Sequence, residues 1–165
     1  MKTLKALSII LILASSSLVA HAQNNIDKIT TAYFGVKNAL AAGSGTEAEN
    51  KAKDLFAALS APETGLKPDQ LKIFNSYADK LRFDSRHISE TTVIDHQREH
   101  FASLSKNLYE VLKGLKMNTA VVYEQYCPMK KAYWLSETAK IKNPYYNDKE
   151  MATCGKTTAT LSVAK

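Results

Sequence analysis

Two short stretches carry the only cysteines of the chain, each with a methionine close by: Cys127-Pro128-Met129 and Met151-Ala152-Thr153-Cys154. Thiolate and thioether sulfurs are soft donors that suit monovalent copper, whereas methionine is a poor ligand for zinc, calcium or magnesium. Pro128 fixes its own backbone angle and biases Cys127 toward an extended conformation, in which side chains two apart turn the same way. Met151 and Cys154, three apart, converge if their stretch makes a helical turn or a tight loop. One reading of these residues is therefore a copper site, in the first place for the monovalent ion, held by Cys127, Met129, Met151 and Cys154. The same two cysteines support another reading, a Cys127–Cys154 disulfide. In an exported protein such a bond is common, and closing a loop of about 28 residues would stabilise the fold by about 3.5 kcal/mol.

Histidines form the other donor set. His96 and His100 are one helical turn apart and are candidate supplementary ligands to the sulfurs, with His100 beside an apolar stripe that would put it under the tail. His87, at the end of the preceding helix, falls near the start of this one, although spacing alone does not make it converge with the other two. The run from His96 to His100 also fits H-x-x-E-H, a zinc-peptidase pattern. A working peptidase needs a third protein ligand, an activated water and a substrate cleft, and the motif lies on an ordinary core helix of a small protein. There is no C-x-x-C, no glycine-rich phosphate loop and no G-x-S-x-G elbow. No enzymatic turnover is expected.

The scaffold that must position these groups reads as helical. Ile26, Ile29, Tyr33, Val36 and Leu40 alternate at spacings of three and four, predicting a helix that ends at Gly43-Ser44-Gly45. Thr46 and Glu49 fit a capping box ahead of a second helix bearing Ala52, Leu55, Phe56 and Leu59. Pro68 suits the first turn of a third, with Leu71, Phe74, Ala78 and Leu81 inward. Thr92 and Asp95 repeat the capping signature before the cleanest stripe, Phe101, Leu104, Leu108, Val111 and Leu115. Four amphipathic helices with short connections predict an all-α fold, an antiparallel up-and-down four-helix bundle. From about residue 118 to 155 helical periodicity is lost, and an irregular tail with a short strand near Val121–Tyr126 should pack on the bundle through Trp134, Tyr133, Tyr145 and Tyr146.

The ends and the composition bound the setting. Lys2 and Lys5, an apolar stretch from Leu7 to Val19 and Ala20-His21-Ala22 predict a signal peptide over residues 1–22 and a single domain over residues 23–165. The formal charge of +6 is mild, two of its lysines belong to the leader, and the rest are scattered, which argues against a nucleic-acid partner. No later stretch approaches the roughly 20 apolar residues of a membrane span. A periplasmic or secreted protein, not stably inserted in a membrane after signal removal, is the expectation.

QYCPM (Gln125–Met129), AYWLS (Ala132–Ser136), IKNPYY (Ile141–Tyr146) and MATCG (Met151–Gly155), with HQREHFASLS (His96–Ser105) upstream, resemble a family of exported bacterial domains of unknown function. Its members occur alone or appended to periplasmic adaptor subunits of heavy-metal efflux pumps. The resemblance runs from about Ile29 to Gly155 and implies a helical domain that meets copper in the cell envelope, with an efflux component as its partner. Cys-Pro-Met is also similar to the Cys-Pro-Met-His-Pro motif of small heavy-metal-binding modules, but here Lys130 stands in place of the histidine.

Overall fold

Apolar residues at helical spacing dictate the first four elements of the computed structural model, which describes residues 25–63 and 65–164. The leader expected at residues 1–22 lies outside the described residues. Helix α1 (Asn25–Ala41) buries Ile26, Ile29, Tyr33, Val36 and Leu40, and α2 (Gly45–Ser60) buries Ala52, Leu55 and Leu59. Helix α3 (Pro68–Ser89) starts with Pro68, and the Lys67 amide donates to Gln70 Oε1 at 3.0 Å. Helix α4 (Ile94–Leu115) buries the full stripe from Phe101 to Leu115. No described helix is long and apolar enough to cross a membrane.

Two start signals fall elsewhere than the sequence suggests. The cap of α2 is Ser44, whose hydroxyl accepts from the Glu47 amide at 3.2 Å, so Thr46 already lies inside the helix. The cap of α4 is Val93, which has no side-chain acceptor to offer. Thr91 Oγ1 instead accepts from the Val93 amide at 3.1 Å.

An all-α fold is corrected in the C-terminal part. Strands β1 (Val122–Cys127), β2 (Ala132–Ser136) and β3 (Lys156–Leu161) form an antiparallel sheet in the order β2-β1-β3. Tyr123 to Cys127 pair with Ser136 back to Ala132, while the β1–β3 register shifts between Glu124 and Gln125. The physical reason is composition: aromatic and β-branched residues suit a pleated surface, and β2 is buried at four of its five positions, so it shows no plain alternation. The strand expected near Val121–Tyr126 is the central one of the sheet.

The sheet closes the helical layer. Consecutive helices pack on each other, and β2 lies against α1 and α4. Tyr33 is the joint: its ring stacks on Phe101 at 5.1 Å, and its hydroxyl accepts from the Leu135 amide at 3.0 Å and donates to Ser105 Oγ at 2.7 Å. Ser105 in turn donates to the Phe101 carbonyl, so every member of this buried chain is paired. Trp134 is fully buried and Tyr145 nearly so, as anchors of the tail should be, whereas Tyr133 is 42% exposed. Arg98 of α4 adds a polar tie, donating from Nε to the Pro144 carbonyl at 3.0 Å.

Candidate metal centre

The α3–α4 corner is held by packing and by one amide side chain. Gln97 is fully buried, and its Nε2 lies 2.6 Å from the Thr91 carbonyl, 2.9 Å from that of Gly45 and 3.3 Å from that of Ile88. The start of α2 presses on this corner so closely that a Cβ on Gly45 would fall 2.1 Å from the Thr92 oxygen. Only glycine fits there. The corner therefore fixes how the last turn of α3 meets the first turns of α4.

Three imidazoles converge on it. His87 comes from the last turn of α3, His96 and His100 from successive turns of α4, and one ring nitrogen of each lies within 4.8 Å of the others. The His87 and His100 rings are stacked at 4.6 Å, and His96 meets His100 edge-on at 4.8 Å. Phe83, one turn before His87, covers one side of the group, 4.3 Å from His87 and 5.7 Å from His100. Beneath His100 lies Asp84, 4% exposed, with its Oδ1 3.0 Å from Nδ1 of that ring. A carboxylate at that position favours the tautomer with the proton on Nδ1, which keeps Nε2 as the lone-pair donor of the ring. A tetrahedral ion needs donor nitrogens about 3.4 Å apart, at roughly 2.0–2.1 Å from the metal. The three nitrogens, within 4.8 Å of one another, would have to draw closer to hold one.

The sulfurs form a separate pair. Cys127 ends β1, is wholly buried, and its Sγ accepts from the Lys130 amide at 3.4 Å. Cys154 is half-buried, and its thiol is pushed above the ordinary range by burial and by the hydrogen-bonded Cys127 thiol beside it. What holds Cys154 there is Asn143, buried, which takes the Cys154 carbonyl on Nδ2 at 2.8 Å and the Ala152 carbonyl on its own amide at 2.8 Å. The Cys154 amide closes a turn onto the Met151 carbonyl at 2.9 Å, the tight loop the sequence requires if the two are to converge. Gly155 follows at φ 149°, where a Cβ would sit 2.7 Å from the Trp134 ring.

Of the six ligands expected from the sequence, the structure thus joins Cys127 with Cys154 and keeps Met151 on the turn of the latter. Met129 points away, 66% exposed on the turn between β1 and β2, because the reversal at Pro128–Lys131 ends the extended run that would have aligned it with Cys127. His96 and His100 gather with His87, and among the described residues neither thiol belongs to that group. His100 faces α3, where its carboxylate partner is, rather than lying under the tail. Asp84 is the residue that sequence reasoning passed over. Its signal was its place one turn before His87, which puts the two on the same face of α3.

No curated protein and no solved structure matches the chain. Residues 29–120, which include Asp84 and all three imidazoles and stop short of both thiols, do match a family model described as protein of unknown function (DUF3347). That span is more than half of the chain, and the protein belongs to this family.

Proposed function

We propose that the protein binds a transition-metal ion, with copper the best fit to its donors, in the bacterial cell envelope, and that it sequesters the ion or hands it on to a periplasmic efflux component. The observation that carries this reading is the convergence of His87, His96 and His100 on one point at a rigid corner. Imidazole nitrogens suit copper, zinc and nickel, and a solvated histidine on a helix face needs neither two imidazole neighbours nor a buried carboxylate beneath it. The leader-like N-terminus and the resemblance to efflux-associated domains support the envelope setting. No substrate is turned over in this scheme.

Copper(II) titration of the mature chain against a competing chelator tests it. Replacing all three histidines, His87→Ala, His96→Ala and His100→Ala, should remove the site, while Cys127→Ser with Cys154→Ser should leave it. Full affinity in the triple variant would end the proposal.

A second reading concerns the sulfurs and is favoured by the Cys127 thiol lying beside that of Cys154. A Cys127–Cys154 disulfide would pin the turn at 148–154 to the end of β1 and make the sheet an oxidised structural module. In the reduced state the same pair is the remaining candidate for monovalent copper. A thiol count on freshly exported protein separates the two states.

A further inference from the structure

Asp84 is a carboxylate taken almost wholly out of water, and among the described residues its ion-pair partner is His100, not a lysine or arginine. A buried carboxylate is costly unless a donor or a positive charge meets it. Here that donor is the His100 ring, whose Nδ1 lies 3.0 Å from Asp84 Oδ1 and which stacks on His87 and meets His96 edge-on. Carboxylate, imidazole and a vacant Nε2 in that order form the arrangement that orients a ligating histidine and raises its basicity.

The surroundings narrow the ion further. All three donors are nitrogen, borderline in softness, and the nearby carboxylate adds negative charge that favours a doubly charged ion over a singly charged one. Three protein ligands leave a fourth position for water or an exchanging ligand. Phe83 blocks the side of His87 and His100, and His96 is exposed, so the free position faces solvent on the His96 side. Resting on the metal-binding reading above, we infer that His87, His96 and His100 form an open site for a divalent ion of the copper and zinc class, with Asp84 as the positioning residue that holds His100. An open position lets an incoming ligand reach the ion, which suits a carrier better than a closed structural zinc site.

Chelator competition with Zn²⁺ and Cu²⁺ on the mature chain provides the test. His87→Ala and His96→Ala should each lower affinity by at least about 100-fold, and Asp84→Asn by about 10–100-fold, with Asp84→Glu recovering part of the loss. The Cu²⁺ complex should show three nitrogen ligands by electron paramagnetic resonance, two in His96→Ala and still three in Asp84→Asn. Added azide should shift the Co²⁺ absorption bands. If the histidine variants bind both ions as the wild type does, the metal-binding reading itself fails. If they weaken binding but Asp84→Asn does not, the role of Asp84 is overturned and the site survives. A Co²⁺ spectrum indifferent to azide overturns the open position alone. Should Asp84→Asn not fold, nitrogen-15 spectra of the wild type decide the matter: an Nδ1–H on His100 that persists through Zn²⁺ loading supports the inference, and an Nε2–H there overturns it.

Discussion

The imidazole corner and the thiol pair are both junctions between elements, and they are built in opposite ways. The corner joins two consecutive helices through a turn of a few residues, so its donors span only His87 to His100 and inherit their spacing from the helical period. The thiol pair joins the end of a strand to a loop 27 positions later, and its geometry depends on Asn143, Trp134 and the whole sheet. Local periodicity can place a ligand within a turn. A loop closure cannot be read that way, because the contacts that bring its two ends together are not set by the helical period. The family match draws the same boundary, covering the helices and ending before β1.

This contrast implies that the two sites respond independently, and the largest effect expected from breaking it lies in the tail. Trp134→Ala removes the largest fully buried side chain, packed on Tyr145 and Gly155, and should destabilise the protein by about 3–5 kcal/mol in thermal or urea unfolding. Below the transition, metal affinity at the corner should stay within a few-fold of wild type. A parallel collapse of that affinity would show the corner to depend on the sheet, through Tyr33 or Arg98.

Oxidation is the next largest lever. Joining Cys127 to Cys154 should stabilise the fold by up to about 3.5 kcal/mol, since the bond closes a loop of roughly 28 residues. Melting curves of oxidised and reduced protein, with Cys127→Ser as control, measure it. Raising the melting point without changing Cu²⁺ affinity at the imidazoles keeps the regions separate. A change in both would join them.

The split also explains what could be read in advance. The four helices were legible because each carries a three-four stripe wide enough to face a core, and His96 and His100 were legible as a pair for the same reason. His87 was visible but unplaced, because how α3 meets α4 is set by Gln97 and Gly45, residues whose roles appear only when Thr91, Ile88 and Gly45 offer their carbonyls to one amide. Of the sheet only β1 was legible: β3 is threonine-rich and mostly exposed while β2 is buried nearly throughout, so neither shows the alternation of a half-buried strand. Tyr133 was expected to be an anchor on size alone, yet it is the exposed residue of β2, while Trp134 and Leu135 beside it are buried.

Even within the legible half, the sequence can name the wrong residue for a correct element, and the smallest predicted effect isolates this. Thr46 and Glu49 spell a capping box, but Ser44 is the residue whose hydroxyl meets the backbone, accepting from Glu47 at 3.2 Å. Gly45 decides between them: it must be glycine to lie against Thr92, so α2 begins at it and the cap is the residue before. Ser44→Ala should therefore cost about 1 kcal/mol in unfolding free energy, and Thr46→Ala close to nothing. The reverse order would restore the box read from sequence and would move the start of α2 away from the corner that holds the imidazoles. Because Gln97 bonds to the Gly45 carbonyl, a shift there would also loosen the ligand geometry, so the pair of alanine variants tests the scaffold of the site as well as its cap.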